Sequence, residues 1–523
     1  MRLNREEAWL RLHEPWDLLI IGGGITGAGL LEEATRQGFR AVLLEQRDFA
    51  WGTSSRSGKM VHGGLRYLRQ GQVRTTWHSV REREYLLRAF PGLIRPMGFL
   101  MPLYRDDPIG RAAMAVGLWI YDRFAGRPNH RYLSREALLT LAPHLRTEGL
   151  QGGYRYGDAL TDDARLVLRL ILNAVRQGAA ALNYVRVEGF LQSRSGAVEG
   201  VMARDQISGR EIEVRARAVV NATGAWADAL RGKLRRPPRL RLLRGSHLLI
   251  PGWRLPLAQG VIFLHPRDHR PLYALPWEGM TLVGTTDVDH HQDLEAEPTI
   301  QPEELDYLLL ALQRAFPHLD LSAPDVTATF SGIRAVIGTG RQPPSREPRD
   351  HAVWWEEGIL TVTGGKLTTF RVMARDALRA LRRRLPTPSP RPVESVKPEV
   401  REAAQAMAEP FDPALWLRLT SRYDPELLLA FLQAPPEEQE RIPRTDLRWA
   451  ELRWIITHEA VVHLDDLLLR RTRLGFQLPD GALPFLERYG PRLRAMLGWD
   501  EERWAQEVER YRQIWRSAYQ PPM

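Results

Sequence analysis

The stretch from Trp16 to Glu45, WDLLIIGGGITGAGLLEEATRQGFRAVLLE, constrains this chain more than any other. An apolar run, Leu18 to Ile21, leads into Gly22, Gly24 and Gly27 at the spacing G-x-G-x-x-G; a helix-like segment follows, and a second apolar run closes on Glu45. The glycine triplet alone is a weak signal, but strand, turn, helix, strand and terminal acid together make a complete βαβ dinucleotide-binding unit. Gly22 turns the chain sharply out of the strand, Gly24 clears a side chain where backbone meets a pyrophosphate, and Gly27 lets helix and strand pack closely. The helix N-terminus then faces the anion. Glu45 falls where a carboxylate accepts hydrogen bonds from ribose hydroxyls.

With 523 residues the chain is too long for one core, and two or three domains are expected. After Glu45 comes a Gly/Ser/Thr-rich loop, QRDFAWGTSSRSGKMVHGGLRYL, more polar than core packing requires. The spacing predicts helices over 73–90, 111–125 and 302–315, and 91–108 reads as loop with short extended pieces. GGYRYGDALTDDARLVLRLILNAVRQGA reads as a turn and a long amphipathic helix, with Asp162 and Asp163 near its start, where acids suit the helix dipole. Strand runs are expected at 181–190, 197–203 and 211–221, the last running into Ala222-Thr223-Gly224, where a doubly wound sheet binds ligands. Short β-segments through 240–340 suggest an antiparallel sheet inserted into the nucleotide domain. A final strand, glycine turn and helix, GILTVTGGKLTTFRVMARDALRAL, repeats the logic of the first unit. Pro386 to Pro398 is a stiff, proline-rich linker, and 399–523 reads as a separate helical domain.

Bulk chemistry narrows the function. The net charge of +10 invites a nucleic-acid or membrane reading, yet no dense basic block with interleaved aromatics occurs outside fragments near 231–244. No nucleic-acid partner is expected; steering of an anionic substrate and attraction to anionic lipid serve equally well. Zero cysteines exclude thiolate metal sites and cysteine nucleophiles, so redox chemistry must come from a bound cofactor. HEAVVH, His458 to His463, looks like a zinc-protease signature, but its histidines are five apart, which turns the second away by about 140° on a helix. No metal is assigned. The opening MRLNREEAWLRLHEPW lacks the apolar core of a secretory signal, and the longest apolar stretch is about half a bilayer span. A cytoplasmic protein, or one lying peripherally on the cytoplasmic face of the membrane, is expected.

The motifs TSSRSGKMVHGGLRYL, TDDARLVL, NATGAW, RGSHLLIP, GTTD, SGIR and GGKLTT stand in the order found in FAD-dependent glycerol-3-phosphate dehydrogenases, which this chain resembles from about Trp16 to Phe476. The tail resembles theirs through SRYDPELLL and AELRWIITHEAVVHLDDLLLRRTRLGF. The resemblance implies an α/β fold: a Rossmann-like FAD-binding domain, glutathione-reductase/D-amino-acid-oxidase-like, with an inserted antiparallel-sheet substrate domain and a C-terminal helical domain. FAD-binding segments are expected at about 16–90, 150–230 and 330–385, and substrate-domain segments at about 91–149 and 240–330. The resemblance also implies oxidation of sn-glycerol 3-phosphate to dihydroxyacetone phosphate, electron transfer to membrane quinone at an anionic lipid surface, and a homodimer. FAD contacts fall by resemblance on Gly22, Gly24, Gly27, Glu45, Thr53, Ser54, Val187, Gly224, Gly365, Lys366, Leu367 and Thr368. The substrate pocket draws on His62, Arg66, Tyr67, His247, Arg334 and Lys366.

Those residue types suit the chemistry. Hydride leaves the substrate carbon, a hydroxyl proton must be taken and a phosphate dianion neutralised. Arg66 and Arg334 offer guanidinium forks for the phosphate, with Lys366 beside them. His62 is the expected base, because imidazole titrates near neutral pH. Two departures from the family pattern, Ala335 and Ala225 where proline is usual, touch loop geometry and no charged position. Oxygen in place of quinone, and an amine or amino-acid oxidase of the same broad fold, remain open alternatives.

Overall fold

A computed structural model of the chain describes residues 3–69, 71–337, 350–388, 412–423 and 425–522, with the side chains of Arg66, Arg69 and Pro425 outside the description. Trp16–Ile21 is the strand expected, buried along almost its whole length, and it pairs in parallel with Ala41–Leu44 on one side and Glu211–Asn221 on the other. Ala180–Leu182 and Ile359–Gly364 extend the parallel sheet, and His351–Glu356 closes one edge antiparallel. Ile21 lies level with both Leu44 and Asn221. Gly22, Glu45 and Ala222 therefore leave the sheet together at the carboxyl ends of three adjacent strands, the place where parallel α/β sheets take ligands. Two amphipathic helices, Ile25–Arg36 and Phe370–Leu381, pack together over this sheet. Gly29 makes their contact possible, since a Cβ there would meet the Phe370 ring at 2.5 Å.

Among the described residues the second sheet has ten strands, mostly antiparallel, as the run of β-segments through 240–340 implied. Two of its members differ from the sequence reading. Residues 94–104, read as loop, form the eleven-residue strand Ile94–Tyr104. It pairs along its length with Leu150–Thr161, which belongs to this sheet and not to the nucleotide-binding one, and in parallel with Gly260–Leu264. Pro96, Gly98 and Pro102 argue locally against a strand. Pairing to Leu150–Thr161 outweighs that local preference. Gly98 also earns its place sterically, because a Cβ there would come within 2.1 Å of Gln259.

Helix Arg111–Ala125 has the bounds the spacing predicted; it buries Leu118 and Tyr121 and leaves Val116 and Trp119 exposed. Most of the proline-rich linker, 389–398, lies outside the described residues. Beyond it the chain is helical as expected, from Pro413–Arg422 to Glu501–Ala518, but it is not separate. Phe476, Trp515 and Tyr519 share one apolar core with Trp277 and Phe330 of the second sheet.

A buried ionic lattice makes the second junction. Arg471 donates to both oxygens of Asp48 at 2.6 and 2.7 Å, and Arg470 donates to Asp48 at 2.5 Å and to Asp465 and Asp466 at 2.7 and 2.6 Å. Arg473 reaches Asp162 at 2.9 Å and Asp163 at 2.5 Å. Lys59 also grips Asp163, at 2.9 Å to each oxygen, and burial pushes the lysine down to about 8. Asp162 stands at the start of its helix as read, where it also caps it by accepting from the Arg165 N–H, but its further task, holding Arg473, had no signal in local spacing. All of these acids and bases are buried. Through Asp48, Ser55 and Arg56 the C-terminal region holds the 48–59 loop directly, and through the shared Asp163 it is linked to Lys59.

Candidate active site

One continuous cavity of about 1690 Å3 opens between the two sheets. Its first wall is the glycine cradle. Gly27 packs against the turn, where a Cβ would lie 1.9 Å from the Gly22 carbonyl oxygen, and Gly22 itself has a φ of 111°. Helix Ile25–Arg36 begins at Gly24 with no side-chain cap of its own, and the Ile25 N–H donates to Ser54 Oγ at 2.9 Å. Glu45 accepts from the Gly23 and Arg47 N–H groups at 2.6 and 2.8 Å, and burial pushes its carboxyl up despite both bonds. Gly224, with a φ of 60° and no atom within 4 Å of where a Cβ would stand, leaves open room beside the cradle. Val187, Thr53 and Gly365 to Thr368 line the same space.

These residues fit FAD. A helix N-terminus without an acidic cap, a carboxylate at the end of the second strand and side-chain-free ground at Gly224 are the features an adenine dinucleotide needs. Gly22, Gly24 and Ser54 would hold its pyrophosphate with Gly27 packed behind them, Glu45 its ribose, and the Gly365–Thr368 turn its ring end. Thr53 differs in its partner, since its hydroxyl donates to the Ile333 carbonyl and so ties the loop to the second sheet.

The second wall gathers charge. His62 follows the short strand Met60–Val61; its N–H donates to Thr368 Oγ1 at 3.2 Å, and its ring stacks near Tyr67 with centroids 6.5 Å apart. Lys366 Nζ sits 3.9 Å from the Tyr67 ring centroid and donates to Ser79 Oγ at 2.8 Å. Arg334, on strand Ala328–Ile337, donates to Asp287 at 2.9 Å and to Thr285 Oγ1 at 3.1 Å. His62, Tyr67, Arg334 and Lys366 all line the cavity. Arg66 lies on the short helix Leu65–Arg69, and its side chain is outside the described residues.

His247 is the exception among the predicted residues. It is 1% exposed and stands behind the wall, bonded to Tyr273, which occupies the lining position instead. Sequence reading also passed over Arg270 and Asp287. Arg270 lies 3.4 Å from the far oxygen of Asp287, so one buried carboxylate orients two guanidinium groups at the cavity wall. Asp287 ends the GTTD motif, which was visible; nothing near Arg270 or Tyr273 distinguished them from ordinary strand and turn residues. His458 stacks on Trp454 with ring centroids 3.6 Å apart, and His463 pairs with Glu507 at 2.6 Å.

Comparison with known proteins gives a consistent picture. A family described as FAD dependent oxidoreductase matches residues 17–377, and one described as the C-terminal domain of alpha-glycerophosphate oxidase matches residues 398–504. The chain is 37% identical over 379 residues to the aerobic glycerol-3-phosphate dehydrogenase of Staphylococcus aureus strain USA300, an overlap of 71% of this chain and 68% of that protein. Among solved structures, the glycerol-3-phosphate dehydrogenase from Bacillus halodurans complexed with FAD matches with a TM-score of 0.75 at 29% identity, over 98% of this chain and 97% of that one. The L-alpha-glycerophosphate oxidase from Mycoplasma pneumoniae with FAD bound shares the fold, at a TM-score of 0.58 and 18% identity, over 72% of this chain and 97% of that one.

Proposed function

We propose, because this chain belongs to the family of FAD-dependent glycerol-3-phosphate dehydrogenases, that its cavity takes sn-glycerol 3-phosphate and releases dihydroxyacetone phosphate. The observation that carries this reading is the sharing of one cavity by the dinucleotide cradle and a cluster of cations. FAD, when bound, supplies an acceptor for the two electrons that leave the substrate carbon as hydride. The chain's own residues supply the rest. Arg334 and Arg270, held in place by Asp287, meet the phosphate dianion with their forks, and Lys366 adds a third charge. His62 takes the hydroxyl proton as general base. Tyr67 shapes the floor between His62 and Lys366, and Arg66 keeps its place as a further phosphate partner.

The test is anaerobic mixing of the purified yellow protein with sn-glycerol 3-phosphate. Flavin absorbance at the oxidised band is expected to bleach within the mixing experiment; oxidised flavin that persists at saturating substrate removes the reading. Mixing the bleached enzyme with a soluble quinone or with oxygen then identifies the acceptor. Quinone is the expected one. Oxygen is the competing acceptor, favoured by the match of the C-terminal region to a glycerophosphate oxidase family.

Membrane association is part of the same proposal. Among the described residues no helix is long and apolar enough to cross a membrane. Helices Val73–Ala89 and Arg111–Ala125 pack side by side and expose Val73, Trp77, Val116 and Trp119. Arg81 lies over Trp77 and Arg123 over Trp119, at 5.5 and 5.3 Å. Tryptophan rings flanked by arginine suit the interface of an anionic bilayer. In sedimentation with anionic vesicles, the Trp77→Ser/Trp119→Ser variant is expected to bind at least about a hundredfold more weakly, the scale of losing two buried rings. Equal sedimentation of variant and parent removes this face from the proposal. A homodimer, implied by resemblance, is part of the proposal too, and light scattering of the purified chain tests it.

A further inference from the structure

We propose that Asp158 accepts a hydrogen bond from the primary hydroxyl of glycerol 3-phosphate, the end remote from the phosphate, and shuts out analogues that carry a negative charge there; this rests on glycerol 3-phosphate being the substrate. Asp158 lies on Leu150–Thr161, next to the end strand of the second sheet. In that end strand Met60 pairs with Leu160 and Val61 with Ala159, and the next step of the same register sets His62 opposite Asp158. Side chains at opposed positions share one face of a sheet. The carboxylate is thus the cross-strand neighbour of the expected base, and both residues line the cavity.

The two carboxylate oxygens are used differently. Oδ1 takes three hydrogen bonds, from the Tyr121 hydroxyl at 2.7 Å, from the Gly63 N–H at 3.2 Å and from Arg83. Gly63 leaves the room this needs, since a Cβ there would lie 2.4 Å from Tyr121 Oη. Tyr121 and Arg83 are buried, so the carboxylate is clamped from behind. Oδ2 takes no hydrogen bond among the described residues, although Asp158 is only 5% exposed, and it is not sealed inside the protein. It therefore meets the cavity. A buried carboxylate that served the fold alone would have both oxygens bonded within the protein. Oδ2 has no proton to give, so its partner is a donor.

The distribution of charge identifies that donor. Arg334 and Arg270 come from the other half of the sheet, and the ion pair of Asp158 is with Arg83. A phosphate dianion held by Arg334 and Arg270 is repelled by a carboxylate, so Asp158 faces the opposite end of the ligand. Glycerol 3-phosphate has the matching polarity: a dianion on C3, the secondary hydroxyl in the middle for His62, and an uncharged primary O–H on C1. That last proton is the one Oδ2 receives.

The parent enzyme is tested first, by ligand dissociation constants from anaerobic stopped-flow flavin reduction or from competition with it. 1-Deoxy-sn-glycerol 3-phosphate, which lacks only the primary hydroxyl, is expected to bind at least about tenfold more weakly than the substrate, the scale of one hydrogen bond to a charged group. 3-Phosphoglycerate, with a carboxylate in place of that hydroxyl, should bind about a hundredfold more weakly, because like charges meet in a buried site. Asp158→Asn keeps an oxygen for the donors of Gly63, Tyr121 and Arg83 and turns an uncharged N–H to the cavity. In this variant glycerol 3-phosphate should bind about three- to tenfold more weakly, as a charged acceptor is lost. 3-Phosphoglycerate should bind at least about tenfold more tightly, as the repulsion goes. A residue that served the fold alone would weaken both ligands. Equal affinity of the parent for all three compounds, or shifts of the same sign in Asp158→Asn, overturns the proposal while leaving the activity standing. If Asp158→Asn retains no flavin, the parent series decides by itself. Failure of the parent enzyme to be reduced by glycerol 3-phosphate overturns the activity itself, and this inference with it.

Discussion

His62→Ala is expected to lower the rate of flavin reduction by glycerol 3-phosphate by about 10²–10⁴, the range for loss of a general base, with FAD still bound. The retention of FAD follows from how His62 is held. Its backbone, not its ring, bonds Thr368, through the N–H at 3.2 Å and the carbonyl at 3.3 Å. Alanine keeps both bonds, so the turn that would carry the ring end of the cofactor stays in place. Rapid mixing under anaerobic conditions separates the effects: the saturating reduction rate should collapse while the flavin spectrum before mixing is unchanged. A rate within threefold of the parent removes His62 as base, and loss of flavin from the purified variant assigns it a structural role instead.

Asp48→Ala is expected to cost about 3–5 kcal/mol of stability, because it strands the buried Arg471 guanidinium and takes one of three acids from Arg470. Asp48 is fully buried and takes three hydrogen bonds from Arg470 and Arg471, plus one from Asn183 at 3.0 Å. The penalty lies in the charges left behind, which gives the prediction a second arm. Replacing Arg471 by methionine together with Asp48→Leu removes one buried charge of each sign while Arg470 keeps Asp465 and Asp466, and should recover much of the loss. Urea unfolding of the flavin-loaded protein, followed by tryptophan fluorescence and flavin release, reads both variants. A double variant as unstable as Asp48→Ala would show that packing and not charge is what Asp48 supplies.

The same lattice sets a pH dependence. Burial alone would raise the Asp48 carboxyl, but Arg471 and Arg470 outweigh it and hold it below the ordinary aspartate value; Asp465 is held low in the same way by Arg470 and Arg510. Acids with lowered folded pKa values contribute stability that is fully present above their unfolded value, about 4, and lost as pH falls through the folded one. Asp466 has the opposite sign, because burial beside Asp48 raises it, and it offsets part of the effect. The urea midpoint is expected to hold between pH 7 and 5 and to fall steeply below about pH 4.

Sequence periodicity and the glycine fingerprint were enough for the nucleotide half. Trp16–Ile21, Ile25–Arg36 and Ala41–Leu44 each follow from a local pattern, and the parallel register then brings Gly22, Glu45 and Ala222 to one edge. The substrate half was legible only where motifs marked it, as for His62, Arg334 and Lys366. Ile94–Tyr104 was hidden by its prolines, because the partner that stabilises it lies some fifty residues later. Arg270 and Tyr273 were hidden for a related reason: among sixty-nine arginines and fourteen tyrosines, only placement beside Asp287 or His247 distinguishes them.

By itself, then, the sequence determined the dinucleotide unit, the need for a bound redox cofactor in a chain without cysteine, and the helical character of its tail. Those properties depend on residues near one another along the chain or on composition alone. Tertiary structure alone decided that the tail is welded to the 48–59 loop by buried ion pairs, that His247 stands behind the wall and Tyr273 on it, and that Asp287 orients two arginines. Each of these is a contact between residues far apart in sequence, and its energy comes from burial and from strand register, which no local pattern encodes.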